Sequence, residues 1–291
     1  MNKKNKVIAV VGATASGKTA YSIELAKKIG GEIISADSRL VYKGFDIGTA
    51  KPTLEERDGV PHHLIDIVEP EVDYSVGLWA KEAEKCIDEI ISRGKVPIIA
   101  GGTGLYFRIL LENYDLPKVE PNYDLRKRLE ALTFDELQTR LSLKDPDTAS
   151  KIEKNDKKKI IRALEIVETL NLPMSEARGV KEFSPYEVEW HGRNFPREEL
   201  YERINKRVDL MIETGLVEET KHLLEKHGRI PNLVDTIGYR EIIEYLDGKL
   251  DLQSACDILK QNTRRYAKRQ LTWFRKNTMI DWNYYPETKS K

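Results

Sequence analysis

Gly12-Ala13-Thr14-Ala15-Ser16-Gly17-Lys18-Thr19 sets glycines, a lysine and a threonine at the spacing G-x-x-x-x-G-K-[ST]. The apolar run Val7–Val11 leads into it, and helical periodicity over Lys18–Ile29 leads out. A strand, a glycine turn and a helix in that order is the setting in which this motif holds phosphate. Its glycines let successive backbone N–H groups turn inward around phosphate oxygens, while the helix start adds partial positive charge. Lys18 brings a full charge, and the Thr19 hydroxyl can ligate Mg²⁺. The motif specifies a phosphate chain, not a nucleoside triphosphate. A glycine-rich turn that holds nothing is the other reading of the same residues.

Strand-like runs recur at Glu32–Ala36, His63–Val68 and Val96–Ala100, and Val76–Ser92 carries Leu78, Trp79, Ala83, Cys86, Ile87, Ile90 and Ile91 at helical spacing. Alternation of this kind predicts a parallel sheet with helices on both faces, its ligands at the carboxyl edge. Asp37 is expected beside the phosphate loop, on a strand next to that of Val7–Val11. After Leu111 the pattern turns helical between Pro117 and Pro185, then offers a returning strand at Tyr186–Asn194 and two or three helices over Arg197–Leu246. A long helical pattern runs from Asp251 to about Lys276, and Met279–Trp282 reads as a last edge strand. The expected division is a core of 1–115 and 187–291 with a helical insertion at 116–186.

Composition removes whole classes of function. Forty-eight Lys+Arg balance forty-eight Asp+Glu, so any polyanion site must be a local patch. Two cysteines without a Cys-x-x-Cys give neither a disulfide framework nor a zinc ribbon, and fit a reducing cytosol. No run of about 18 apolar residues occurs, so no membrane span is expected. Val7–Val11 is too short for the apolar core of a secretory signal. The five histidines show no ligand spacing; His62-His63 read as turn and strand residues.

Asp37 follows the run Ile33-Ile34-Ser35-Ala36. A carboxylate there can accept a proton from an incoming nucleophile, or serve as a turn aspartate. The polar, glycine-rich stretch that follows, with Tyr42, Gly44, Asp46, Gly48, Thr49 and Lys51, is long for a mere connector. A hydrolytic NTPase is disfavoured because Val96–Ala100 ends in Gly101-Gly102-Thr103-Gly104 rather than in Asp, and Asp66 does not end its strand.

Ile34-Ser35-Ala36-Asp37-Ser38 with Val41-Tyr42-Lys43-Gly44-Phe45-Asp46-Ile47-Gly48-Thr49-Ala50-Lys51-Pro52 resembles the tRNA dimethylallyltransferase (isopentenyltransferase) family of bacterial type. Gly101-Gly102-Thr103-Gly104-Leu105-Tyr106, Pro61-His62-His63-Leu64-Ile65-Asp66, Ile237-Gly238-Tyr239 and Tyr266-Ala267-Lys268-Arg269-Gln270-Leu271-Thr272-Trp273 carry the resemblance along the chain. It implies an α/β fold, a P-loop NTPase-like parallel sheet flanked by helices with a helical insertion domain. It also implies transfer of a dimethylallyl group from dimethylallyl diphosphate to N6 of the adenosine directly 3′ of the anticodon. On that reading Gly12, Ala13, Thr14, Ala15, Ser16, Gly17, Lys18 and Thr19 hold the diphosphate with Mg²⁺ on Thr19. Asp37 is the general base, Thr103 donates to the diphosphate and Arg207 adds a cation.

The partner so implied is the anticodon stem-loop of tRNA, with Asp37, Ser38, Arg39, Leu40, Thr103, Lys158, Lys159, Arg162, Arg264 and Lys268 as contacts and a cytoplasmic monomer expected. The chain departs from the family with Ala13 for Pro, Arg39-Leu40 for Met-Gln and Lys159 for Arg; Leu40 cannot make the base-edge hydrogen bonds of a Gln. Between Ile258 and Ile280 seven Lys/Arg and no acid interleave with Tyr266, Trp273 and Phe274, as in a groove that tracks nucleic-acid backbone or on a solvated helix face. Trp273 and Phe274 are expected in the core. A P-loop kinase, a prenyltransferase of free adenine nucleotides and a non-catalytic RNA-binding protein remain alternatives.

Overall fold

Val7 to Val11 have no appreciable contact with solvent, the mark of a strand covered on both faces. In the computed structural model, which describes residues 4–112, 114–154, 156–177 and 184–282, these residues belong to β1 (Asn5–Gly12). There follow α1 (Lys18–Ile29), β2 (Gly31–Ala36), β3 (His62–His63), α2 (Val76–Ser92), β4 (Val96–Gly101) and α3 (Gly104–Leu111). After an intervening helical unit come β5 (Tyr186–Arg193), a helix at Arg197–Glu213, others at Leu216–His227, Pro231–Val234 and Tyr239–Leu246, and the long helix Leu252–Phe274. The five strands are all parallel, in the order β3-β2-β4-β1-β5.

That order corrects the expectation that Asp37 follows a strand next to β1. β4 lies between them, in register Ile8 with Ile98 and Ile33 with Ile98, so the Gly101-Gly102 turn separates the phosphate loop from Asp37. β3 is also shorter than the expected His63–Val68. Leu64 and Asp66 adopt φ of +61° and +56°, left-handed backbone that cannot continue a ladder. Met279–Trp282 contributes a single bridge, His191 with Asp281, rather than a strand.

The two sheet faces have different covers. Ile8, Val10, Ile33 and Ile98 pack on Ile23 and Ala26 of α1. On the opposite face α2 is tied down by Trp79, whose indole N–H donates to Ser35 O at 2.9 Å. Phe107 of α3 meets Trp190 of β5 and Phe274 of the long helix. A second core forms where Val41, Tyr42 and Phe45 of the post-β2 loop pack with Leu216, Leu223, Leu233, Tyr239, Ile242 and Leu259. That core fixes the loop that frames the site.

The chain forms two compact units, Glu112–Ser184 and the remainder. Tyr186 opens β5, as the strand expected from Tyr186 requires, so the insertion expected over 116–186 ends before it. The smaller unit comprises α4 (Tyr123–Glu130), α5 (Phe134–Lys144), α6 (Pro146–Lys151), α7 (Lys157–Leu170) and α8 (Met174–Ala177). The later helices are accordingly α9 (Arg197–Glu213), α10 (Leu216–His227), α11 (Pro231–Val234), α12 (Tyr239–Leu246) and α13 (Leu252–Phe274). The core of the smaller unit is Leu125, Leu129, Leu137, Leu141, Ile160, Leu164 and Val167. Within it Glu165, with no solvent exposure, is clamped by Arg126 at 2.9 Å and by Arg162.

Candidate active site

The phosphate loop leaves β1 at Gly12, where a Cβ would lie 2.4 Å from Arg193 O and 2.6 Å from Ser16 Oγ. Ala15 and Gly17 take left-handed φ of +61° and +74°. For an alanine that conformation costs about 1 kcal/mol or more and needs outside support. Arg203 of α9 supplies it, its Nε donating to Ala15 O at 3.0 Å. Ser16 Oγ is buried without a hydrogen-bond partner among the described residues, as suits a hydroxyl whose partner is a ligand oxygen. Lys18 Nζ donates to Ala13 O at 3.0 Å. Burial brings the Lys18 ammonium down to about 8; Asp37 opposes that fall and Arg207 adds to it.

Asp37 lies one residue past β2. One carboxylate oxygen accepts from its own turn, Arg39 N at 2.9 Å, and the residue lines a cavity of about 340 Å³ shared with Thr14, Lys18 and Thr19. Both sequence readings of Asp37, turn aspartate and cavity carboxylate, hold at once. Thr103 N donates to Ala36 O at 3.1 Å, and its Oγ1 accepts from Ser38 N at 3.2 Å. Tyr266 shares a further hydrogen bond with Thr103. Close approach is required here: a Cβ on Gly101 would stand 2.1 Å from Ala36 O. Thr103 itself lies outside the cavity lining and steadies Ser38, which is in it.

Arg207 of α9 also lines the cavity. It is half-buried and makes no hydrogen bond or ion pair among the described residues. Burial and Arg203 lower its proton affinity, and Glu56 opposes them. Arg39, Leu40 and Arg269 share the lining.

The far wall is held by a strut that the sequence did not disclose. Glu219 of α10 accepts from Ile47 N at 2.8 Å, Gly48 N at 3.0 Å and the Tyr239 hydroxyl at 2.7 Å. A Cβ on Gly48 would lie 2.5 Å from the Tyr239 ring. Lys51, with its side chain 4% exposed, donates to Tyr42 O at 2.9 Å and pairs with Asp46 at 2.7 Å and with Asp66. The local signals for this wall were the polar loop with Tyr42, Asp46, Gly48 and Lys51 and the Ile237-Gly238-Tyr239 segment; the partner acid Glu219 sits far along the chain.

The remaining candidates separate. Lys268 is exposed on α13, whereas Arg264 is engaged, its Nη1 donating to Asn205 Oδ1 at 2.6 Å. In the smaller unit Lys158 and Lys159 are exposed, Lys159 pairing with Asp156 at 2.6 Å. Arg162 donates to Val119 O at 3.0 Å besides clamping Glu165. Phe274 is buried as expected, but Trp273 is 39% exposed, its ring against Gly104. Trp273 therefore covers a helix start rather than filling the core.

A parallel sheet feeding a phosphate loop, with a carboxylate and an arginine facing the same cavity, defines a P-loop α/β enzyme acting on a phosphorylated substrate. A family model described as IPP transferase matches residues 40–277. A tRNA dimethylallyltransferase of Thermomicrobium roseum is 48% identical over 97% of this chain and 87% of its own. One from Bacillus velezensis is 48% identical over 97% and 91%. Among solved structures, the full-length tRNA isopentenylpyrophosphate transferase of Bacillus halodurans is 44% identical, with a TM-score of 0.72 over 96% of this chain and 89% of its own. A eukaryotic dimethylallyltransferase acting on tRNA is 32% identical, with a TM-score of 0.78 over 93% and 70%. The chain belongs to the IPP transferase family.

Proposed function

We propose that this protein transfers a dimethylallyl group from dimethylallyl diphosphate to N6 of the adenosine directly 3′ of the anticodon in tRNA, releasing diphosphate. The observation that carries this reading is that the phosphate loop, Lys18 and Arg207 share one cavity with the Asp37 carboxylate. The reaction needs both ends. Adenine N6 is a weak nucleophile because its lone pair is delocalised into the ring, so its proton must leave as the N6–C bond forms; Asp37 accepts it. The allylic C–O bond breaks toward diphosphate, and Lys18, the loop amides and Arg207 stabilise the charge that develops there. One such donor contributes about 10²–10³ in rate. Thr103 acts in this scheme on the diphosphate and through Ser38.

Mg²⁺ fits the donor set, since Thr19 offers a hydroxyl at the cavity and diphosphate offers further hard oxygens, the ligands this ion takes. Bound there, it would neutralise part of the leaving-group charge. A kinase is the weaker reading. Asp66, the acid weighed for a Walker B role, is already paired with Lys51 and within 3.9 Å of Arg57.

The base must leave its stack to reach Asp37, and the exposed Arg265, Lys268 and Arg269 of α13 suit the phosphates around it. The anticodon stem-loop is the proposed binding element, with Lys158, Lys159 and Arg162 of the smaller unit as further contacts. A monomer in the cytoplasm is the proposed setting; the tRNA substrate and the free Cys86 and Cys256 support the compartment. No helix among the described residues is long and apolar enough to cross a membrane. Labelled dimethylallyl diphosphate offered with unmodified tRNA, AMP or ATP tests the reading: label should enter tRNA alone. Label in AMP only, or phosphoryl transfer from ATP, would overturn it.

A further inference from the structure

We propose that Gln270 is a positioning residue that sets the distance between the diphosphate cradle and the Thr103 turn, and so aligns the leaving group with the attacking nitrogen. The role rests on the transfer reaction proposed above. Gln270 lies on α13, is 5% exposed and lines the cavity. Its Oε1 accepts from Thr14 N at 2.8 Å, and its Nε2 donates to Gly102 O at 2.9 Å. One planar amide thus joins the phosphate loop after β1 to the turn after β4. Within the sheet those strands are paired as far as Val11 with Gly101; past that edge their ladder stops and Gln270 takes over.

The fit is close on both sides. A Cβ on Gly102 would stand 2.1 Å from Gln270 Nε2, so the turn has no side chain where the amide lies. The Thr14 amide is taken by this contact, so the diphosphate is left to the other loop amides, to Ser16 Oγ, which is buried with no hydrogen-bond partner among the described residues, and to Lys18. Thr103 follows Gly102 directly and touches Ser38 and Tyr266. A shift of the Gly102 carbonyl therefore moves the Asp37 wall relative to the diphosphate. Misplacement of reacting groups by about 1 Å can cost 10²-fold in rate.

Donor and acceptor on one side chain give the test its discrimination. Gln270→Glu keeps the acceptor for Thr14 N but donates to Gly102 O only when protonated, a form that burial beside a carbonyl favours. Gln270→Met keeps approximate size and loses both bonds. In single-turnover transfer to tRNA at saturating dimethylallyl diphosphate, the Gln270→Glu rate divided by the wild-type rate should rise at least about fivefold from pH 8 to pH 6. Gln270→Met should be slower than wild type by at least about tenfold with a pH-independent ratio. If Gln270→Met does not fold, the Gln270→Glu ratio decides alone. A Gln270→Glu ratio that is flat with pH would overturn the positioning role, leaving at most a packing role. A Gln270→Met rate within about twofold of wild type would overturn it too. Wild-type protein that passes no label to tRNA would instead refute the transfer reaction, and this role with it.

Discussion

Lys18 Nζ donates to the carbonyl of Ala13, five residues earlier in its own loop, at 3.0 Å. Buried there, the ammonium is brought down to about 8, inside the range where enzymes are assayed. An anion binds the charged form, so diphosphate binding and Lys18 protonation favour each other. Well below pH 8 Lys18 is charged, so its titration should leave affinity for dimethylallyl diphosphate unchanged with pH there. It should then weaken by up to about tenfold per unit as pH rises through the free-protein value, until the higher value of the complex is reached. Titration calorimetry from pH 6.5 to 9.5 on wild type and Lys18→Met checks this, the variant correcting for titration of the ligand itself. Equal slopes for the two proteins would remove Lys18 from the cradle.

Tyr239 closes the loop strut through its hydroxyl on Glu219, and its ring leaves no room for a side chain at Gly48. Tyr239→Phe should lower stability by about 1–2 kcal/mol, the loss of one hydrogen bond to a carboxylate. Gly48→Ala should cost about 1–3 kcal/mol through overpacking. Thermal unfolding should show both, at roughly 2–4 °C per kcal/mol for a chain of this size. Gly48→Ala at the wild-type melting temperature would mean that the wall is looser than its geometry implies.

Lys268 and Arg264 sit four residues apart on α13 but differ in engagement: Lys268 is exposed, while Arg264 is bonded to Asn205. Lys268→Ala should reduce the slope of log tRNA affinity against log salt by up to about one unit. Arg264→Ala should change that slope less and stability more. Equal slope changes would put both side chains on phosphate.

Glu165 is fully buried in the smaller unit. Burial pushes its carboxyl up, but hydrogen bonds from Arg126 and Arg162 outweigh that, and the net direction is down. A folded value below the unfolded one means stabilisation that is complete above the ordinary carboxylate range and fades as pH falls through the lowered value. Glu165→Ala should cost roughly 2 kcal/mol at pH 7, less than the cost of breaking a fully buried pair because both guanidiniums are partly exposed. Chemical denaturation at pH 7 and pH 3 checks this: the variant's deficit should shrink in acid. Because Arg162 is a clamp, a tRNA defect of Arg162→Ala counts as recognition only if its melting temperature is unchanged.

Features carried by neighbours in the chain were legible in the sequence. β1, the phosphate loop and α1 follow from one apolar run and one glycine pattern, and Asp37 from its place after β2. Strand order was not legible, because periodicity says which residues form strands and nothing of which strands pair. The length of β3 was misread because Leu64 and Asp66 adopt left-handed backbone, which a leucine does not announce and an aspartate favours only weakly. Gln270 and Glu219 were missed for one reason: each acts on backbone groups more than 160 residues away. Trp273 was expected in the core on hydrophobicity alone, yet it rests on Gly104 and stays partly exposed.

The central claim is that Asp37 takes the N6 proton in the cavity where the diphosphate is held. Single-turnover transfer from dimethylallyl diphosphate to tRNA by Asp37→Asn tests it most directly, with both affinities measured on the same protein. The account predicts a rate at least about a hundredfold below wild type, with tRNA and diphosphate binding retained. A wild-type rate in Asp37→Asn would contradict it and return Asp37 to a turn residue that caps Arg39 N.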